Sequence, residues 1–213
     1  MDTSYWHQRW EKNELGFHES EANPLLIKYF KELSLAPGSR VFVPLCGKTL
    51  DIAWLLANDF RVMGAELSET AITQLFAELG VTPNIAVIDE VKHYSATNIN
   101  IFAGDIFTVS SKTLGVVGAI YDRAALVALP QDMRHRYTAH LMEITQKAPQ
   151  LLVTLTYDQN VMNGPPFSVS DAEVNQHYQD HYQLTRLEST SVPGGLKGKC
   201  EALENVWLLK AVN

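Results

Sequence analysis

A carboxylate and a glycine turn stand at positions in this sequence where ligand chemistry is expected. Glu66 ends the strand-like segment Arg61–Glu66, which follows a short turn around Gly47. A carboxylate at the end of a second strand projects toward whatever lies on the first turn, and it can accept two hydrogen bonds from a ribose diol. This spacing predicts an adenosine-like ligand. The alternatives are an ordinary tight turn at Gly47 and a solvated strand end at Glu66.

The segment VFVPLCGKTLD, Val41 to Asp51, suggests two other functions for the same turn. Gly-Lys-Thr ends a phosphate-binding loop, but that loop needs a glycine five positions before its second glycine, where this chain has Phe42. A dinucleotide-binding turn needs three spaced glycines, and Gly47 stands alone. The phosphate loop is therefore excluded and the dinucleotide pattern is weak, so Lys48 is expected at the surface or at a helix start.

Two later strand-like segments also end in acidic residues. In AGDIF, Asp105 could receive an exocyclic amine while Ile106 lies on a base, although Gly-Asp is also a common turn pair. In YDRAALVALP, Asp122 and Arg123 are an adjacent acid and base, for which a surface ion pair is the alternative. Because ligands of open parallel sheets bind beyond the carboxyl ends of the strands, we expect these residues at the edge that carries Glu66.

Alternating strand-like and helix-like segments supply that edge. Apolar segments predict strands at 40–44, 61–66, 98–107, 115–122 and 150–158, and helical spacing predicts helices at 49–59, 68–80, 131–148 and 170–180. Ser68 is a predicted helix N-cap, Gly80 a predicted stop, and Ser170 with Glu173 a predicted capping box. Segments 182–189 and 204–210 predict a closing antiparallel hairpin. The fold class is therefore α/β, a doubly wound, mostly parallel seven-stranded sheet with a C-terminal antiparallel strand.

Composition predicts a single domain over residues 1–213 with a small-molecule partner. The chain is 46% hydrophobic and carries a net charge of -7 with no Lys/Arg-dense run, which argues against nucleic-acid and anionic-membrane surfaces. Only two cysteines occur, Cys46 and Cys200, the first residues lack a secretion signal, and no apolar run approaches the roughly 20 residues that span a bilayer. We expect a cytoplasmic protein with reduced thiols, and nothing demands more than a monomer.

Seven segments occur together and in order between about residues 5 and 167, namely WHQRW, GFHE, RVFVPLCGKTLD, VMGAELSE, GDIF, YDRAALVALP and GPPF. Together they resemble the thiopurine S-methyltransferase family, and its bacterial members in particular. The resemblance implies a Rossmann-like class I methyltransferase fold that uses S-adenosyl-L-methionine. It implies methyl transfer to the sulfur of aromatic or heterocyclic thiols such as thiopurines. For this transfer we expect a direct in-line displacement that requires no metal.

The resemblance also implies cofactor-binding roles for particular residues. Trp10 would lie against the cofactor, Leu45 and Gly47 would pass its methionine half, Glu66 would hold the ribose hydroxyls and Arg123 would lie near the methionine end. With Trp6 and Asp105, which are candidates from their positions, the whole predicted cofactor set is Trp6, Trp10, Phe17, Leu45, Gly47, Glu66, Asp105, Ile106 and Arg123. Asp105 departs from the family pattern, since some relatives have serine there.

Aromatic walls suit a sulfonium, because a cation gains roughly 0.5 to 2 kcal/mol over an aromatic face. Trp6, Trp10 and Phe17 could supply such walls. The helical spacing of the two tryptophans also fits an amphipathic helix docked on the core. We expect a helix that does both, so residues 1–36 are predicted to form an N-terminal helical lid over the cofactor.

For the acceptor, the resemblance implies Phe17. His18 beside it could orient the acceptor or the lid, although it also fits a hydrogen-bonded structural histidine, and Pro166 and Phe167 are candidates on the loop after the fifth predicted strand. Arg123 would favour the thiolate, and Asp122 is a hypothetical proton acceptor through water. His177 and His181 stand four apart on a predicted helix, as metal ligands can, but no third ligand is evident. Cys46 is expected to be a packing residue.

Two other functions remain open from the sequence. One is a methyltransferase of the same fold that acts on halide, oxygen, or inorganic selenium or tellurium acceptors. The other is a non-catalytic protein that binds S-adenosylmethionine.

Overall fold

The structure is a computed structural model, and it describes residues 3–12, 19–88 and 91–212. The chain divides into two compact units, an N-terminal unit within residues 2–119 and a C-terminal unit within residues 120–213. Within the described residues, no helix is both long enough and apolar enough to cross a membrane.

The N-terminal unit is a sheet with helices in its connections. Its strands are β1 (Arg40–Pro44), β2 (Arg61–Glu66), β3 (Asn84–Ile88), β4 (Val91–Ala96) and β5 (Ile99–Ala103). Its helices are α1 (Thr3–Glu11), α2 (Pro24–Tyr29), α3 (Asp51–Ala57), α4 (Glu69–Glu78) and α5 (Ser111–Leu114). The strand order is β3-β4-β5-β2-β1, with β1, β2 and β5 parallel and the β3–β4 hairpin antiparallel to β5.

Local sequence signals explain how the helices of this unit begin and end. The Ser68 side chain accepts a hydrogen bond from the Ala71 amide at 3.3 Å, so it caps α4 as predicted. Gly80 follows α4 with a φ of +69°, the left-handed conformation in which glycine commonly ends helices. Both predictions for α4 are confirmed.

The segment before β1 is anchored in the core from Asn23 onward. The backbone amide of Asn23 donates to Asp51 Oδ1 at 2.7 Å, and its side chain caps α2 by accepting from the Leu25 amide at 2.9 Å. The buried apolar side chains of this segment are Leu25, Leu26, Phe30 and Leu33. Residues 23–33 therefore pack as part of the hydrophobic core of the N-terminal unit.

The C-terminal unit carries the remaining strands, β6 (Ala119–Arg123), β7 (Gln150–Thr156), β8 (Tyr182–Ser191) and β9 (Leu203–Ala211). Its helices are α6 (Gln131–Ile144) and α7 (Asp171–Tyr178). The strand order is β6-β7-β9-β8, in which β6 and β7 are parallel while β9 is antiparallel to both β7 and β8. The predicted C-terminal hairpin is confirmed. The Ser170 hydroxyl accepts from the Glu173 amide at 3.2 Å and caps α7.

Nine strands are described, two more than predicted. The additional pair is the β3–β4 hairpin. Its positions do not alternate regularly between buried and exposed, so its sequence lacks the alternating pattern that predicts a strand. Strand β6 begins at Ala119 rather than at Gly115, because Gly115 is in the left-handed region at φ +69°. Helix α6 ends at Ile144 because Gln146 and Lys147 also have positive φ angles.

Candidate active site

The turn after β1 has a strained backbone. Leu45 has a φ of +46° and Gly47 a φ of +53°. The left-handed region costs a residue with a side chain about 1–2 kcal/mol, so Leu45 is an outlier of the kind that concentrates at ligand sites. The turn is fixed by a hydrogen bond from the Cys46 amide to the Ala65 carbonyl oxygen at 3.0 Å.

Glu66, at the end of β2, fastens this turn. Its Oε2 accepts from the Gly47 amide at 2.8 Å, and its Oε1 accepts from the Ser68 amide at 2.8 Å. Each carboxylate oxygen can accept more than one hydrogen bond, so the pair of oxygens can still receive hydroxyl groups. The structure thus brings Gly47 and Glu66 together, and Glu66 is not the solvated strand end that was the alternative.

Burial governs the protonation of Glu66, which is only 6% exposed. Loss of solvation raises its pKa, and hydrogen bonds from the Ser68, Gly47 and Leu67 amides act in the opposite direction. The Cys46 thiol beside it is also buried, and burial followed by the charge of Glu66 raises the pKa of that thiol. A thiol with a raised pKa is a poor nucleophile, which agrees with the packing role expected for Cys46.

Trp10 lies directly on the glycine turn. A side-chain β-carbon at Gly47 would lie 3.0 Å from Trp10 Cζ2, which is tighter than an ordinary contact, so a larger residue would push the Trp10 ring back. Helix α1 also lies against α4, and the Trp6 ring packs edge-on against Tyr5 with centroids 5.3 Å apart. The structure therefore brings Trp10 to the predicted cofactor turn. Phe17 and His18 lie outside the described residues.

Asp105 and Ile106 follow β5, in the N-terminal unit that also holds Glu66. Asp105 is exposed, and its Oδ1 accepts from the Phe107 amide at 3.0 Å, which caps a short 3₁₀ turn over Ile106–Thr108. The Ile106 side chain is buried, with 2% exposure. The proposed contacts of these two residues with adenine stay predictions.

In the C-terminal unit, Asp122 is fully buried near the end of β6. Its Oδ1 accepts from the Leu126 amide at 3.0 Å, and its Oδ2 accepts from the Tyr137 hydroxyl at 2.8 Å. Between Asp122 and Leu126 the chain passes through Ala124, whose φ is +59°. Asp122 therefore holds the strained turn that follows Arg123, and the alternative of a surface ion pair is wrong because Asp122 has no exposed surface.

The electrostatics of Asp122 follow from this burial. Desolvation raises the pKa of Asp122 to about 6, against the opposing effects of the Leu126 amide and the Tyr137 hydroxyl. Burial, the charge of Asp122 and a neighbouring tyrosine raise the pKa of Tyr137 well above its ordinary value, so Tyr137 stays a hydrogen-bond donor. Asp122 consequently titrates close to neutral pH.

A second feature of the C-terminal unit is the proline loop, residues 163–168, which contains Pro166 and Phe167. The Tyr157 hydroxyl donates to the Pro166 carbonyl at 2.6 Å, and the Phe167 amide donates to the Val127 carbonyl at 2.6 Å. The Ser168 amide donates to Gln159 Oε1 at 2.8 Å. The predicted acceptor residues Pro166 and Phe167 therefore lie on a loop whose backbone is tied at several points.

Two remaining sequence candidates have structural partners. Lys48 is 12% exposed at its side chain and pairs with Glu78 at 2.6 Å, so it is not a free surface residue. The helical spacing assumed for His177 and His181 is wrong, because α7 ends at Tyr178. Among the residues described, no three His, Cys, Asp or Glu side chains are grouped as a metal site would require.

The chain matches known proteins along its whole length. The family model described as Thiopurine S-methyltransferase (TPMT) matches residues 1–210. A thiopurine S-methyltransferase of Xanthobacter autotrophicus is 54% identical over 211 residues, which cover 99% of each chain. The chain belongs to the thiopurine S-methyltransferase family. Another family member, from Teredinibacter turnerae, is 52% identical over 209 residues, 98% of this chain and 97% of its own length.

Solved structures agree on the fold. A 1,6-didemethyltoxoflavin-N1-methyltransferase of Burkholderia thailandensis aligns with a TM-score of 0.64 at 14% identity, covering 96% of this chain and 86% of its own. The Rossmann-like class I methyltransferase fold is confirmed. Family membership likewise confirms the prediction that the protein is an S-adenosylmethionine-dependent methyltransferase with a small-molecule substrate.

Sequence reasoning missed two buried residues that organise the C-terminal unit. Tyr137 holds Asp122, and Arg134, only 3% exposed, holds the proline loop. Both lie on α6, where a tyrosine and an arginine carry no signal beyond helical spacing. An arginine on the buried side of an amphipathic helix was the one available clue to Arg134.

Proposed function

We propose that this enzyme methylates the sulfur of aromatic or heterocyclic thiols such as thiopurines. The observation that carries the proposal is the match to proteins named thiopurine S-methyltransferase at up to 54% identity over 99% of the chain. Acceptor selectivity resides in loops. Because the sequence match to these relatives extends through the proline loop, it supports the same class of acceptor for this enzyme.

The residues of the N-terminal unit suit S-adenosylmethionine. Glu66 offers a carboxylate to the ribose diol, and the turn at Gly47 has the close-passing backbone that a methionine chain needs. Trp10 supplies an aromatic face at the same turn. When bound, S-adenosylmethionine would supply a methyl carbon on a sulfonium. An acceptor sulfur would bond to that carbon in line while the sulfonium–methyl bond breaks and S-adenosylhomocysteine leaves. Leu45, Trp6, Phe17, Asp105 and Ile106 complete the proposed cofactor set.

In the C-terminal unit, we assign Arg123 to the methionine end of the cofactor and to stabilisation of the acceptor thiolate. Asp122 is the proposed proton acceptor, and its pKa of about 6 lets it take a proton near neutral pH. Because Asp122 is buried, the proton would reach it through its hydrogen-bonded neighbours or a water rather than by direct contact. Pro166 and Phe167 are the proposed acceptor-binding residues of this unit, and Phe17 and His18 are the further residues proposed for the acceptor.

The N-terminal residues 1–36 are proposed to cover the bound cofactor, within one functional domain over residues 1–213. The contact of Trp10 with Gly47 supports this role for α1. By contrast, the segment from Asn23 onward is anchored through the buried side chains of Leu25, Leu26, Phe30 and Leu33, so the covering part would be the segment before Asn23.

We further propose a cytoplasmic monomer that binds neither nucleic acid nor membranes. The net charge of -7 disfavours polyanionic partners. Both cysteines are free thiols, Cys46 in the core and Cys200 half-buried, as expected in a reducing compartment.

The test is a methyl-transfer assay with labelled S-adenosylmethionine and a panel of acceptors: 6-mercaptopurine, thiophenol, iodide, selenite and tellurite. We expect label on 6-mercaptopurine and thiophenol. Label only on iodide, selenite or tellurite would overturn the acceptor assignment and leave the methyltransferase activity in place. Binding of S-adenosylmethionine with no transfer to any acceptor would overturn the proposed function.

A further inference from the structure

Arg134 on α6 is a buried cation with an unusually full set of partners. Its Nε donates to the Leu129 carbonyl at 2.9 Å, and its Nη1 donates to the Ser168 carbonyl at 3.1 Å. Nη1 also contacts both carboxylate oxygens of Glu173, at 2.7 and 2.8 Å. A guanidinium on a side chain that is only 3% exposed must be paired in this way, because an unpaired buried charge is strongly destabilising.

These partners belong to three separate pieces of the C-terminal unit. Leu129 follows the short 3₁₀ turn after β6, Ser168 ends the proline loop, and Glu173 is in the first turn of α7. Burial by itself would raise the pKa of Glu173, but hydrogen bonds from His177 and Arg134 outweigh it and lower the pKa, so Glu173 is ionised at neutral pH. Arg134 therefore joins the three pieces through one charge-assisted junction.

The same guanidinium lies over the Phe167 ring, with Cζ 5.6 Å from the ring centroid. Phe167 is held on its other sides as well. Its amide is bonded to Val127, and its ring lies where a side-chain β-carbon at Gly164, only 2.5 Å away, would collide with it. The ring position is consequently set by Arg134 together with the turn at Gly164.

A pocket of about 450 Å³ adjoins this junction, and its lining includes Arg134, Phe167, Ser168 and Glu173. Movement of the guanidinium would thus change both the shape of this pocket and the ring of Phe167. A lysine could not reproduce the junction, since an ammonium lacks the planar fork that serves Leu129, Ser168 and Glu173 at once.

We propose that Arg134 is a positioning residue for acceptor binding: it fixes the proline loop and the Phe167 ring, and thereby sets the affinity for the thiol acceptor without contacting the cofactor. This inference rests on the proposed function, in which Phe167 lines the acceptor pocket.

The experiment compares Arg134→Lys with a matched control, Arg186→Lys. Arg186 is also in the C-terminal unit, is also ion-paired to the first turn of α7 through Asp171, and also lies over an aromatic ring, that of Trp207 at 5.7 Å. It differs in being about half exposed and in being paired away from the proline loop. Hydrogen exchange of the Phe167 and Ser168 amides reports the loop, and steady-state kinetics with thiophenol reports acceptor binding.

For Arg134→Lys, we expect amide exchange in residues 163–168 to rise at least about tenfold, since one charge-assisted junction is lost. The KM for thiophenol should rise at least about tenfold, while the affinity for S-adenosylmethionine measured without acceptor stays within about twofold. Arg186→Lys should change none of these. Should Arg134→Lys fail to fold, Glu173→Gln serves instead, with smaller changes in the same direction because Arg134 keeps its bonds to Leu129 and Ser168.

Unchanged exchange in the proline loop would overturn the inference, and so would a loosened loop with an unchanged KM for thiophenol. An equal loss of affinity for S-adenosylmethionine would also contradict it, because that pattern indicates a general structural defect. If the wild-type enzyme methylates none of the thiols, the proposed function fails and the acceptor role fails with it. The exchange measurement then decides separately whether Arg134 holds the loop.

Discussion

Replacing Asp122 with asparagine should change the way stability depends on pH. The Asp122 carboxyl has no exposed surface, and its pKa is raised from 3.8 to about 6 by desolvation. Well below pH 3.8 the carboxyl is neutral in both the folded and the unfolded chain. Between pH 4 and pH 6 the unfolded chain loses this proton first, so the folded state becomes less stable as the pH rises.

The size of the effect follows from the two pKa values. At about 1.4 kcal/mol for each pH unit, the whole shift is worth about 3 kcal/mol. About 2.5 kcal/mol of this loss in unfolding free energy falls between pH 4 and pH 7, because at pH 4 the carboxyl of the unfolded chain is already more than half ionised. The carboxamide that replaces the carboxyl in the variant cannot ionise, so that loss is absent. Asparagine can still accept from the Leu126 amide and face the Tyr137 hydroxyl, so the shape of the site is preserved.

The measurement is urea unfolding of the wild type and Asp122→Asn at pH 4, 5, 6 and 7. The quantity of interest is the change with pH in the stability difference between the two proteins, because other titrating groups cancel in it. We expect the variant to gain about 2.5 kcal/mol on the wild type from pH 4 to pH 7. Asp180→Asn, at an exposed position after α7, is the control. A difference that stays flat, within about 0.5 kcal/mol, would refute the argument that Asp122 is desolvated.

Three further variants probe the proposed site. Glu66→Gln keeps the side-chain volume, but the carboxamide cannot accept from both the Gly47 and Ser68 amides. Calorimetry should therefore show at least about a tenfold loss of S-adenosylmethionine affinity, with little change in the KM for thiophenol. Equal losses for cofactor and acceptor would count against the ribose role. Gly47→Ala should lower unfolding free energy by about 1–2 kcal/mol and weaken cofactor binding, because φ is +53° and Trp10 is 3.0 Å from the new carbon. Arg123→Ala should reduce kcat at saturating cofactor at least about tenfold, and an unchanged kcat would remove its assigned role.

Features set by neighbours in the sequence were predictable. Ser68 and Ser170 cap their helices through amides three residues away, so the pattern of side chains alone located both helix starts. The position of Glu66 at the end of β2 was predictable in the same way, because a strand followed by an acid is a local pattern. Its second role, fastening the turn at Gly47, needed the register of two parallel strands.

Features set by distant partners were not predictable. Arg134 meets Glu173 across 39 residues, and Tyr137 meets Asp122 across 15, so neither pairing leaves a periodic signal. The residues of α6 then resemble those of any amphipathic helix. The β3–β4 hairpin was missed for another reason. Ile85 and Val87 are exposed, so β3 lacks the alternation of buried and exposed positions that is typical of a half-buried strand.

The hairpin strand β3 has a consequence for handling the protein. It ends the strand order of the N-terminal unit, and Ile85, Val87 and Ile88 are 53%, 71% and 40% exposed. A terminal strand with β-branched side chains and neither proline nor lysine is a template on which a second chain can add its own strand. Self-association at high concentration or on warming should therefore begin at β3. Val87 lies opposite Lys92, so a glutamate there would add a favourable cross-strand charge pair and blunt that edge.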